Sequence, residues 1–172
     1  MKRALKITDI LSPLAEVPHQ AYLNDMLQVA DVLQWILSQT GPADVQMASF
    51  SLSDEFLRRL HFIQKDGLVR SLDIVLDFKA TNKTLSLWNF IEQTVDHCYL
   101  ANIHAKLLLV SNDDWEVLMV TSQNLTRGNR FEVAVIEAAS PLFVKLKAEL
   151  NYIITKQSVP FHEVYKRTTD RD

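Results

Sequence analysis

Glycine and proline are scarce in this sequence, with three and five among 172 residues, and cysteine occurs once, at Cys98. So little glycine and proline excludes a collagen-like or low-complexity chain. A lone cysteine excludes an internal disulfide. No apolar run approaches the roughly 18 residues that a membrane-spanning helix needs. The N-terminus opens with Lys2 and Arg3, but Asp9 and Pro13 interrupt the apolar stretch that a signal peptide requires. Excess positive charge is missing too. A net charge of −3 is wrong for a protein that coats nucleic acid by bulk electrostatics, so a nucleic-acid site must rest on particular residues.

What is present is a core. Hydrophobic residues make up 48% of the chain and charged residues 23%, both ordinary for a globular domain. A chain this long buries roughly 70% of its unfolded surface without covalent help. With no internal repeat and no linker composition, residues 1–172 are expected to form a single cytoplasmic domain. Residues 1–20 read as an N-terminal extension and residues 160–172 as a flexible tail.

Apolar periodicity predicts the elements. Leu23, Met26, Leu27, Ala30, Leu33 and Leu37 recur at spacings of three and four, predicting a helix over 22–38 that ends at Gly41-Pro42. Residues 45–51 read as a short strand. Ser53 followed by Asp54 and Glu55 starts a helix running to about Gln64. The run 72–76 is apolar and β-branched, as in a strand buried on both faces. A helix is expected over 85–97, then strands over 103–110 and 115–122 joined by an Asn/Asp turn, a strand over 131–136 and a helix over 141–156. Helices alternate with strands first and strands adjoin later, which gives a layered α/β domain with a mixed sheet.

One segment carries chemistry. Along an extended 103–110, His104 and Lys106 point the same way, and two such groups opening an apolar strand are costly unless they face a polar cleft. The returning strand ends in Thr121-Ser122-Gln123-Asn124, where Ser122 and Asn124 share a face, and Arg127, Arg130 and Glu132 follow. Hairpin reversal brings that end beside His104. A base or nucleophile, a cation, a hydroxyl, an amide and a carboxylate then meet in one patch.

His104-x-Lys106, then Ser122-x-Asn124, then Glu132 resembles the pattern of the phospholipase D superfamily, H-x-K-x-x-x-x-D followed by G-S-x-N and a later Glu. The match is specific between residues 103 and 136. Two positions depart from it: Ser111 stands where the motif has Asp, and Thr121 where it has Gly. The resemblance implies a phospholipase D-like layered fold, a mixed sheet flanked by helices, and a metal-independent phosphodiesterase without cofactor. In it His104 attacks phosphorus and forms a phosphohistidine, Lys106 and Asn124 hold the non-bridging oxygens with help from Ser122, and Glu132 orients His104. A second histidine must protonate the leaving oxygen. His19, His61, His97 and His162 lack a lysine two residues on, so the single motif implies a homodimer with two His104–Lys106 sets across one cleft.

Small single-motif members of that superfamily resemble dimeric nucleases. This points to an endonuclease, with DNA rather than RNA as partner and Arg127 and Arg130 as phosphate contacts. Competing readings are an inactive nucleic-acid-binding or assembly protein of the same dimeric fold, which Ser111 and Thr121 favour, and a phospholipid or nucleotide phosphodiesterase. Trp115 reads as covering the sheet, and Trp35 and Trp88 as core or interface. His97-Cys98 lacks the further ligands of a zinc site, and no nucleophile elbow surrounds Ser122.

Overall fold

A computed structural model of the chain describes residues 6–169. Strands β1 (His19–Asn24), β2 (Ala43–Ser49), β3 (Val69–Asp77), β4 (His97–Ala101), β5 (Leu107–Ser111), β6 (Glu116–Thr121), β7 (Glu132–Ala138) and β8 (Val159–Pro160) form one sheet in the order β1-β7-β6-β5-β2-β3-β4-β8. The centre, β2 with β3 and β3 with β4, is parallel. All other neighbours are antiparallel. Helices α1 (Val29–Thr40), α2 (Asp54–Lys65), α3 (Thr81–Leu85), α4 (Trp88–Thr94), α5 (Pro141–Tyr152) and α6 (Phe161–Thr169) flank it. The expected mixed sheet between helices is what the chain forms.

Side-chain alternation explains the two cores. On one face Val45, Met47, Leu72, Ile74, Val110 and Met119 bury against Leu33, Ile36, Leu37, Leu57 and Leu60 of α1 and α2. On the other, Ala48, Val75, Leu109 and Leu118 meet Phe143 and Leu150 of α5. Within the run 72–76 Leu72, Ile74 and Leu76 pack on one face and Val75 on the other, while Asp73 bonds Gln46 and His97. The expected stops and caps are present. Ser53 Oγ accepts the Phe56 N–H at 3.2 Å, and Gly41 takes a positive φ of 73° after α1. At the β5–β6 turn Asn112 Oδ1 accepts the N–H groups of Asp114 and Trp115, at 3.0 and 2.9 Å.

Several boundaries differ from the sequence reading. The helix expected over 22–38 is strand β1 followed by α1. Tyr22 lies in the core, Leu23 faces outward and Met26 is exposed, although their spacing continues the stripe of the helix behind them. The helix expected over 85–97 is the two short helices α3 and α4, and its last residue, His97, opens strand β4. The last helix keeps α-geometry only to Tyr152 and finishes in a π-turn over Ile153–Gln157.

Both chain ends are more tightly built than expected. Leu11 and Leu14, within the supposed N-terminal extension, are buried. The segment read as a flexible tail pairs as β8 and then forms α6, whose Phe161 is fully buried. Trp88 meets the Phe161 ring edge-on at 5.1 Å and stacks on Tyr165 at 4.6 Å. Residues 1–5 and 170–172 lie outside the described residues. Phe161→Ala is therefore expected to destabilise the domain by about 3–5 kcal/mol in chemical denaturation. A loosely attached tail would show no change.

Candidate functional site

The carboxyl ends of the parallel strands β2, β3 and β4 open at one end of the sheet, where ligands of α/β proteins commonly sit. There β3 ends in Asp77, a carboxylate sunk in the core that accepts two backbone N–H groups, from Lys79 at 2.7 Å and from Ile103 at 2.9 Å. The second bond fixes the chain immediately before His104. Residues 103–106, expected as the start of a strand, are instead part of the connection between β4 and β5. Its polar backbone is satisfied from elsewhere: the Lys106 carbonyl accepts the Thr121 N–H at 3.2 Å.

His104 and Lys106 do meet. Lys106 Nζ lies 3.2 Å from Nδ1 and 3.4 Å from Nε2 of His104, and donates to the His104 carbonyl at 2.9 Å. The imidazole is exposed, and the half-buried Phe50 ring, just beyond β2, stands 5.5 Å away at a tilt of 56°. Lysine and aromatic ring together position a histidine that has no carboxylate partner among the described residues.

The returning strand supplies the other groups. Ser122 continues the outward row of β6, and its hydroxyl bonds to Glu132 Oε2 across the start of β7. Glu132 therefore reaches Ser122, and among the described residues no hydrogen bond joins it to His104. Gln123 turns the opposite way and is buried. Its Nε2 donates to the Leu27 carbonyl at 2.6 Å and its Oε1 accepts from the Tyr22 hydroxyl at 3.0 Å. Burial first, then the carboxylates of Asp31 and Glu132, push the Tyr22 hydroxyl pKa up, so the phenol remains a donor. Asn124 stands beside Ser49. The buried Ser49 hydroxyl donates to Ser51 O at 2.8 Å, accepts the Leu125 N–H at 3.0 Å and lies 3.4 Å from Asn124 Oδ1. The one Ser49 proton goes to Ser51 O, so the Asn124 side-chain amide keeps its N–H groups for a ligand.

The two departures from the motif acquire physical meanings. Thr121 clasps the turn, its hydroxyl donating to Val133 O at 2.8 Å and accepting the Gln123 N–H at 3.1 Å. Ser111 sits at the far end of β5 from His104 and accepts from Lys147 Nζ of α5 at 3.1 Å, so the missing carboxylate lies outside the cleft. Of the two arginines, Arg127 pairs with Glu55 at 3.1 Å, both side chains exposed. Arg130 makes no ion pair among the described residues and lines a small cleft with Gln28, Asn124 and Glu132. Gln28 pins the loop between them, bonding both the carbonyl and the N–H of Gly128. No cluster of three His, Cys, Asp or Glu side chains suited to a metal occurs among the described residues.

Sequence reasoning missed Ser49, Phe50, Asp77 and Gln123. A signal existed for two of them: Asp77 follows the apolar Ile74-Val75-Leu76, and alternation turns Gln123 inward whenever Ser122 and Asn124 face the cleft.

No protein-family model matches the chain, and no curated protein matches it. Solved structures do. Nuc from Salmonella typhimurium, a phospholipase D family member, is 17% identical over 83% of this chain and 97% of its own, with a TM-score of 0.61. Phosphatidylserine synthase from Haemophilus influenzae is 13% identical, with a TM-score of 0.57 over 84% of this chain and 40% of the synthase. TrmBL2, an archaeal chromatin protein described as having a novel mode of DNA binding, is 10% identical, with a TM-score of 0.55 over 88% of this chain and 59% of its own. The chain therefore has the layered mixed α/β fold of the phospholipase D family member Nuc.

Proposed function

We propose that the protein is a metal-independent phosphodiesterase of the phospholipase D type, an endonuclease acting on DNA as a homodimer. The observation that carries this is the His104–Lys106 contact in a connection anchored by Asp77, in the cleft that Asn124 also lines. His104 attacks the phosphodiester phosphorus. The bond from phosphorus to the leaving oxygen breaks as a second histidine protonates that oxygen, and water then attacks the phosphohistidine to release product and free imidazole. Lys106 and Asn124 stabilise charge on the non-bridging oxygens. Glu132 accepts the Ser122 proton, and that bond fixes the turn that carries Asn124 to the phosphate. Arg130, with Arg127 further out, meets the flanking phosphates. A lone cysteine suits a cytoplasmic setting.

A second reading, binding without cleavage, is favoured by the absence of a carboxylate on His104 among the described residues and by a chromatin protein with a similar fold. Cleavage of plasmid and single-stranded DNA in excess EDTA separates the two. Under the first reading wild type cleaves and His104→Ala does not, while His104→Ala keeps its fold because the imidazole is exposed. Retention of DNA by wild type and His104→Ala alike, with cleavage by neither, selects the second. Cleavage by His104→Ala at the wild-type rate sinks the catalytic assignment.

Lys106→Ala and Asn124→Ala are each expected to lower turnover about 100- to 1,000-fold, the usual cost of one charge-stabilising donor. Glu132→Gln should lower turnover with little change in DNA affinity. Gln123→Leu strands the Tyr22 hydroxyl and the Leu27 carbonyl. It should cost about 1–3 kcal/mol of stability and reduce turnover more than binding, as read by denaturation and steady-state kinetics.

A further inference from the structure

Three phenylalanines stand at the end of the sheet where the cleft opens, and none of them belongs to either core. Phe131 immediately precedes β7 and is 74% exposed, and Phe78 immediately follows β3 and is 42% exposed. Phe50, just past β2, is the ring that faces His104. Each outer ring has a cation beside it in the chain. Arg130 precedes Phe131 and Lys79 follows Phe78, both exposed and neither in an ion pair among the described residues. The other exposed phenylalanine, Phe62, lies in the last turn of α2 with Lys65 Nζ 5.6 Å from its ring, away from the cleft. The sheet order β7-β6-β5-β2-β3 sets the spacing at the cleft end. With neighbouring strands about 4.8 Å apart, Phe131 and Phe78 lie about 10 Å to either side of the start of β5, where Lys106 and His104 stand.

We infer that the cleft takes an unpaired DNA strand laid across the ends of the β-strands, with one base stacked on Phe131, another on Phe78, and the scissile phosphate between them at His104. The inference rests on the phosphodiesterase reading for the place of that phosphate; the two rings and their cations are read from the structure itself. A platform for single strands needs what each of these pairs offers, a flat π-face for a base and a cation for the phosphate joined to it. In a duplex the bases are paired and stacked on one another, so their faces are closed to both rings. Charge points the same way. Binding to duplex DNA draws chiefly on phosphate neutralisation, and this chain carries a net charge of −3 with Arg127 already paired to Glu55. Stacking supplies the affinity that charge does not. The separation of the rings, about 20 Å across four strand spacings, suits about four nucleotides, the low end of the range for single-strand sites.

Fluorescence anisotropy of the full chain in EDTA tests this, with a short labelled DNA strand and the same strand annealed to its complement as probes. His104→Ala is the parent throughout, so that neither probe is cut. The single strand is expected to bind more tightly than the duplex. Phe131→Ala and Phe78→Ala should each weaken single-strand binding about 5- to 150-fold, the usual worth of one base on one ring, and leave duplex binding unchanged. Phe131→Trp keeps a π-face and should bind as the parent does, whereas Phe131→Leu, apolar without one, should bind like the alanine variant. The slope of log affinity against log salt should be the same with and without Phe131, because no phosphate contact is lost. Phe62→Ala should change nothing. Phe131, the more exposed of the two rings, serves if Phe78→Ala does not fold. Equal affinity for both probes, or single-strand binding unmoved by the alanine variants, overturns the inference and leaves the nuclease reading standing. Single-strand binding that depends on Phe131, in a protein whose wild type cuts neither probe, keeps the platform and overturns the catalytic reading. A chain that binds neither probe overturns both.

Discussion

The buried amide of Gln123 is the constraint on which the site depends. It links β6 to β1 through the Tyr22 hydroxyl and to the entry of α1 through the Leu27 carbonyl. A side-chain amide this deep is tolerated only with its polar atoms paired, so the turn after β6 has one low-energy orientation. Ser122 and Asn124, on either side, are thereby turned outward together. The neighbouring connection inherits that order, since Thr121 donates to the Lys106 carbonyl and so sets where the lysine begins.

A second layer of buried polar groups repeats the pattern. Asp77, Ser49 and Gln123 sit where an apolar strand gives way to the open end of the sheet, and each spends its hydrogen-bonding capacity on backbone adjoining a cleft residue. His104 is exposed and Lys106 and Asn124 are half-buried, while their supports are sealed from water. Precision in an exposed site thus comes from the desolvated shell behind it.

How much was legible in the sequence follows from the same division. His104, Lys106, Ser122 and Asn124 stand out because polar residues at fixed spacing interrupt apolar strands. The central strands and α2 were legible for a related reason, being long enough to show their period and bounded by Ser53 or the Asn112 turn. What was not legible depended on distant partners. β1 is short, its apolar residues fall into the helical stripe of α1, and its identity as a strand comes from β7. β4 and β8 are likewise defined by the neighbours they pair with, and α6 by the Trp88 face that Phe161 fills. Glu132 was read as the group that orients His104, and only the fold shows that its carboxylate goes to Ser122.

The pairing of β1 with β7 also sets a schedule. Tyr22 and Gln123 are 101 residues apart, so the first strand of the chain has no partner until nearly the last one exists. During synthesis Leu23 and its neighbours must wait until residues 132–138 have been made, a long loop closure that slows folding. The His104–Lys106 segment emerges from the ribosome before the strand that brings Glu132. Competence of the cleft is in this way deferred until β7 has been made, and a product that stops before Ser122 lacks the turn that orients hydroxyl and amide.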